Sequence, residues 1–176
     1  MKFKNTPVIT TPRLTMHAIR DCDSEELLSI ITSPDVSRTY LLPDFASREE
    51  AMKLFDRLKA LSESDDHFVY GIYLGKKLIG FINDVSADGN EAELGYVIHP
   101  DCWNRGYCTE VLAAAIEDLF AFGCRSIKTG AFEENPSSLR VMEKCGMTRM
   151  DETEELEYRG AVHRCIYYIK ENGQNA

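Results

Sequence analysis

The sequence predicts a mixed α/β fold: a mostly antiparallel sheet of about seven strands flanked by about four helices. Three observations predict it. An apolar meander runs from residue 68 to 98, with turn signals at Gly75-Lys76 and Asp88-Gly89. A glycine turn and an amphipathic helix follow its last strand and lead to a further apolar strand, which the helical crossover makes a parallel neighbour. Two extended segments around Arg159-Gly160 close the chain as a hairpin.

Residues 7–20 (PVITTPRLTMHAIR) alternate enough for a first strand, which Pro7 and Pro12 confine to an edge or interrupt. Asp23 or Ser24 caps a short helix through Ile31, ended by Ser33-Pro34. Ser47 followed by Glu50 is a capping-box pattern opening a helix over 48–61. The strands 68–74, 77–85 and 92–98 come next. The stretch HPDCWNRGYCTEVLAAAIEDLFAFG (99–123) then supplies the turn and the central helix. Cys108, Val111, Leu112, Ala115, Leu119 and Phe122 fall on one helical arc, so that helix packs one face on the sheet. Residues 125–132 form the next strand. Asn135-Pro136 caps a helix over 136–145, which Gly146 stops, and strands 147–158 and 161–170 follow. No linker, repeat or low-complexity segment interrupts this order, so residues 1–176 are expected to form a single domain.

At 176 residues, 44% hydrophobic, the chain can bury a core of ordinary size. No long apolar run occurs and the opening MKFKNTPVITTPRL has no apolar leader core, so a soluble, cytoplasmic protein without membrane contact is expected. Six cysteines make no CxxC pair, which reads as free thiols in a reducing compartment rather than disulfides or a metal site. A formal charge of −9 argues against direct nucleic-acid binding. The same surplus of carboxylates favours a cationic substrate such as an amine. The acidic run DETEELE (151–157) is most simply a solvated face.

Gly106 sits where a strand hands over to a helix. The unpaired amides and dipole of a helix start suit an anion such as phosphate, although tight packing in an α/β unit explains a lone glycine equally well. Neither GxGxxG nor GxxxxGK[ST] occurs, which removes two common phosphate loops.

The stretches ELGYVIHPDCWNRGYCTEVL and ENPSSLRVMEKCGM, in that order with the right elements between them, resemble the GNAT superfamily of acyl-CoA-dependent N-acetyltransferases. The branch they are most similar to is the RimJ/RimL type, which acetylates protein N-terminal amines. The resemblance implies a GNAT fold (α+β in its layering), with the sheet splayed between its two central parallel strands. It implies acetyl-CoA as cosubstrate, with no metal. The diphosphate would rest on the backbone of Asn104, Arg105, Gly106, Tyr107, Cys108 and Thr109. The pantetheine arm would pair with the backbone of Val97, Ile98 and His99, and an amide near Val97 or Ile98 would polarise the thioester carbonyl. Asn135 matches a cofactor-contacting position, and Ser138 one that touches cofactor and protonates the leaving thiolate. The pattern's usual side chains are replaced by Trp103 and Cys108, and the tyrosine many members carry four residues after the serine is Met142 here.

The implied reaction is direct attack of a neutral amine on the thioester in a ternary complex. An α-amine, with pKa about 7.8 against about 10.4 for lysine, is roughly 3.5 kcal/mol easier to deprotonate, which suits a modest base or a water chain. Glu93, on the strand leading to the turn, is the first base candidate, and Glu91 the second on the same face. His99 and Cys102 invite a Cys–His nucleophile, but no third group orients them, and turn roles explain both. Arg105, Arg140 and Lys144 are the cations available to phosphates. The acceptor expected first is a protein N-terminus. Rivals are a polyamine or aminoglycoside acceptor, a non-catalytic acyl-CoA sensor, and plain nucleotide binding at the glycine turn. Either a monomer or a homodimer fits the sequence.

Overall fold

A computed structural model describes residues 7–173; the first six residues of the stretch inspected for a leader lie outside the described residues. Among the described residues the chain builds one sheet of eight strands. They are β1 (Val8–Thr10), β2 (Thr15–His17), β3 (Val69–Leu74), β4 (Lys77–Asp88), β5 (Glu91–Ile98), β6 (Ser126–Phe132), β7 (Thr148–Tyr158) and β8 (Ala161–Glu171). Their spatial order is β1-β2-β3-β4-β5-β6-β8-β7. The helices are α1 (Ser24–Ile31), α2 (Pro34–Ser37), α3 (Arg48–Ser62), α4 (Tyr107–Phe122) and α5 (Pro136–Lys144).

Two counts differ from the sequence reading. Seven expected strands become eight because 7–20 folds back on itself: the Thr11 N–H donates to the Leu14 carbonyl and Thr11 Oγ1 accepts from the Leu14 N–H at 3.0 Å, turning the chain between β1 and β2. Four expected helices become five because Pro34, read as a terminator, also starts α2 at a position where its missing N–H costs nothing. Asp23 does not cap α1 with its side chain. Its carboxylate turns back to the Arg20 N–H and guanidinium and accepts the Tyr73 hydroxyl at 2.6 Å.

The other helix boundaries follow their local chemistry. Ser47 accepts from the Glu50 N–H, while the Glu50 carboxylate reaches back to the Ala46 N–H. Asn135 Oδ1 accepts from the Ser138 N–H at 3.2 Å, with Pro136 at the first position of α5. On α4 the buried residues include Val111, Leu112, Ala115, Ile116 and Leu119. Ile116 completes the stripe, whereas Phe122, expected in it, is 38% exposed at the helix end.

The sheet carries a core on each face. On one, Leu94, Ile98, Val111, Leu112, Ile127, Met142 and Ile166 pack beneath α4 and α5; on the other, Leu27, Ile30, Phe55, Leu78, Phe81 and Val97 pack beneath α1 and α3. Strand alternation produces both, because neighbours along β5 point to opposite faces. The parallel pairing of β5 with β6 runs only from Glu91↔Ser126 to Leu94↔Thr129. Beyond that, Gly95–Ile98 and Gly130–Phe132 keep their outer partners, β4 and β8, but not each other. The sheet is therefore open at its centre.

Candidate active site

The opening between β5 and β6 continues into a cavity of about 550 Å³. Its wall includes Tyr96, Val97 and Ile98 of β5, Gly130 and Ala131 of β6, the turn residues Asn104 and Gly106, and the first turns of α4 and α5. Asn104 and Gly106 both adopt left-handed backbone, at φ 59° and 78°. Gly106 is the N-cap of α4 and has no side chain to occupy the helix start, so the first-turn amides face the cavity unobstructed. Arg140 and Lys144, one helical turn apart on α5, line the same cavity. Arg105 does not. Its carbonyl instead accepts from Arg13 Nη1 at 2.8 Å. A helix start whose first-turn amides have no partner within the helix, two cations and a glycine suit a diphosphate ester even on a protein of net charge −9.

The strand register decides which β5 amides are available. The His99 N–H bonds the Ile79 carbonyl at 2.7 Å, and Phe81 faces Val97, so odd-numbered backbone groups here turn toward β4. Even-numbered ones turn toward β6, as the Leu94 carbonyl shows by accepting from Thr129 Oγ1. The amides of Tyr96 and Ile98 therefore look into the opening. That of Val97 does not. The expectation for the His99 backbone also gives way: its N–H goes to Ile79 and its carbonyl accepts from the Cys102 N–H. Trp103 has a role the sequence did not show. Its indole Nε1 donates to the Ile98 carbonyl at 2.6 Å, pinning the end of β5 to the turn before α4.

Inside the cavity Ser138 meets Tyr96, with 2.8 Å between hydroxyls. Burial pushes the Tyr96 phenol well above its ordinary range, with Ser138 pulling the other way. Tyr96 lay unmarked within the expected strand 92–98; a tyrosine on the same face as Leu94 and Ile98 was the signal. Met142 is fully buried and packs in the core. The Cys–His alternative loses its geometry: His99 Nδ1 accepts from the Asp101 N–H at 3.2 Å within its own turn. The Cys108 thiol, also in the cavity wall, is pushed up to about 12 by burial and so stays protonated. All six cysteines are free thiols. Among the described residues no three His, Cys, Asp or Glu side chains gather as a metal site.

Glu93 lies on the opposite sheet face from Tyr96, two residues before Gly95. It is half-buried, and burial raises its carboxyl, against the pull of Lys128, whose Nζ is 3.9 Å away. Lys128 Nζ stands 3.8 Å over the Tyr167 ring, and the Tyr167 hydroxyl donates to Glu154 at 2.7 Å. Tyr167 in turn packs on Gly130, where a Cβ would come within 2.6 Å of the ring. Glu91 is placed differently, at the start of β5, bonded to the exposed Arg125 at 2.7 Å, which holds its carboxyl below the usual range.

The residues 13–148 match the family model described as Acetyltransferase (GNAT) domain. An uncharacterized N-acetyltransferase, YoaA, of Bacillus subtilis (strain 168) is 30% identical over 148 residues, 81% of this chain and 84% of that protein. A putative ribosomal-protein-serine acetyltransferase from Vibrio cholerae superposes with a TM-score of 0.78 at 23% identity, covering 95% of this chain and 99% of its own. RimL, described as a ribosomal L7/L12 alpha-N-protein acetyltransferase in complex with coenzyme A, superposes at 0.80 with 17% identity, over 93% and 97%. No helix among the described residues is long and apolar enough to cross a membrane. With the family model spanning most of the chain and the fold matching throughout, the chain belongs to the GNAT family and is an acetyl-CoA-dependent N-acetyltransferase.

Proposed function

We propose that the acceptor is the α-amine of a protein N-terminus, acetylated through Glu93 as general base with Tyr96 and Ser138 as the proton source for the leaving thiolate. The observation that carries this reading is the position of those groups about the sheet opening: Glu93 on one face, in the last paired rungs before it, and the Tyr96–Ser138 pair in the cavity on the other.

Acetyl-CoA, when bound, supplies an activated acyl thioester. The amides of residues 106–109, with Arg140 and Lys144, hold its phosphates, and Asn135 stands beside them in the cavity wall. The Tyr96 and Ile98 amides face the opening, where either can donate to a developing oxyanion. Glu93, two residues and so roughly 7 Å along the strand from Gly95, takes the amine's proton through a water. Its raised carboxyl makes it a better proton acceptor than an ordinary glutamate. The Tyr96 hydroxyl stays protonated across the working pH range and donates through Ser138 toward the leaving sulfur; the proton the thiolate takes is made good from solvent by the one Glu93 gives up, so amide and thiol form and both residues end as they began. Glu91, locked to Arg125 nearly a full strand away, is the weaker base candidate. A single modest base suits an α-amine, whose pKa of about 7.8 leaves little to remove, better than a lysine side chain. A coenzyme A complex of RimL, named as an alpha-N-protein acetyltransferase, supports the same acceptor class.

The test is acetyl-CoA turnover against N-terminal peptides, blocked peptides carrying only lysine, polyamines and aminoglycosides. Free α-amine peptides should turn over, and N-terminal blocking should abolish it. Turnover confined to polyamines or aminoglycosides would overturn the acceptor class, and coenzyme A binding without turnover of any amine would make the protein a sensor. In E93Q, kcat with the peptide should fall about 100-fold or more, and the acidic limb of the pH profile should disappear.

A further inference from the structure

We propose that Arg13, on the hairpin between β1 and β2, is a positioning residue that aims the Gly106 amide at the cofactor diphosphate by capturing the Arg105 carbonyl. This rests on the reading of the 104–109 turn as the diphosphate cradle.

The contacts around Arg13 converge on one turn. Its Nη1 donates to the Arg105 carbonyl at 2.8 Å. Its Nε donates to Glu110 Oε2 at 2.7 Å, and Nη2 lies 2.6 Å from the same oxygen. The other Glu110 oxygen accepts from the Arg13 N–H at 2.8 Å and from the Thr11 hydroxyl at 2.6 Å. The guanidinium also stacks over the Tyr107 ring, 4.7 Å from its centroid. An N-terminal hairpin far away in sequence thus grips the start of α4 at a carbonyl, a carboxylate and a ring.

The carbonyl matters most. The Arg105 C=O and the Gly106 N–H belong to one planar trans peptide, so they point in opposite directions. Fixing the carbonyl on Arg13, which is not among the residues lining the cavity, turns the N–H toward the cavity that Gly106 does line. Gly106, on one side of this peptide, is left-handed at φ 78°, and the left-handed Asn104 lies one residue further back. Glycine makes rotation of the plane easy, so without an anchor the cradle would spend time with a carbonyl facing the phosphates. The rigid planar fork of Arg13 fixes carboxylate and carbonyl relative to one another, a geometry that a lysine's single flexible ammonium does not impose. Charge neutralisation is the competing account: Glu110 sits in the first turn of α4, where it would repel a diphosphate if unpaired.

Calorimetric titration of coenzyme A separates the two, and needs no amine acceptor. R13A should weaken coenzyme A binding about 10- to 100-fold, the range a lost charged hydrogen bond gives. E110Q keeps an acceptor for Arg13 and should weaken it only a few-fold. The double variant R13A/E110Q, with no unpaired carboxylate left, should bind no better than R13A. In amide NMR spectra the Gly106 resonance should move downfield when coenzyme A saturates the wild type, and not in R13A at saturation. Recovery of affinity in the double variant would overturn the proposal in favour of charge alone. So would R13A binding within two-fold of wild type, or a Gly106 shift that survives in R13A. Should R13A fail to fold, R13K decides, since it keeps the charge without the guanidinium fork: it should weaken coenzyme A binding and lose the Gly106 shift, and wild-type affinity with a full shift would reject the latch. Absence of any shift at Gly106 in the wild type would instead bring down the cradle reading itself.

Discussion

Tyr96 and Ser138 hold one hydrogen bond between two hydroxyls in the cavity wall, and removing either tests a different half of it. In Y96F the phenolic proton is gone while the ring still packs; kcat should fall about 10- to 100-fold with little change in KM for acetyl-CoA. S138A leaves the phenol in place and should cost less. The buried Asp23 answers a different question. Burial alone would raise its carboxyl, but bonds from Arg20 and Tyr73 hold it below the ordinary value. A carboxylate lowered on folding stabilises the protein above its unfolded pKa near 4, and that stability is lost as pH falls through the folded value. Thermal melts of wild type should therefore drop more steeply than those of D23N on acidification below about pH 4. Glu93 has the opposite sign: raised by burial, it favours the folded state at low pH and gives that up as pH climbs through its folded pKa.

The elements were more legible than the contacts between them. Ser47 with Glu50, Asn135-Pro136 and Gly146 mark helix ends by chemistry that acts within four residues, and the structure keeps each. Gly106 was legible for the same reason, as a turn between two periodic segments. Arg13 was not, because nothing local to TPRL shows that Glu110 and the Arg105 carbonyl, more than ninety residues on, will meet it. The partners of the His99 backbone were hidden for a similar reason: residue spacing does not say which β5 amides point to β4, and register does. At this scale N135A should lower stability by about 1 kcal/mol in urea unfolding, the usual value of a lost N-cap. G106V forces a branched side chain into left-handed backbone at the cradle, so coenzyme A affinity should collapse, and the melting temperature should fall by several degrees.

Across the whole molecule, the hairpin of β7 and β8 is buckled to the loop after α2. The Tyr158 hydroxyl lies 2.8 Å from the Ser37 carbonyl, accepts from the Leu42 N–H at 3.3 Å, and receives Arg159 Nε at 3.0 Å. Arg159 also pairs with Asp44. Phe132 and Tyr158 beneath this buckle, with the Tyr40–Asn83 bond nearby, frame the face that carries Glu93. Y158F should loosen it and raise KM for the peptide while leaving KM for acetyl-CoA unchanged. The missing rungs between β5 and β6 have a consequence for the protein in its cell. Two halves of one sheet, joined through four facing pairs, would be stitched by the very molecule that the catalyst consumes. At a hundred times its dissociation constant such a guest adds about 2.7 kcal/mol to the folded state. Resistance to heat and proteases would then rise and fall with the supply of acetyl-CoA, making the fold's own durability a gauge of acetyl abundance.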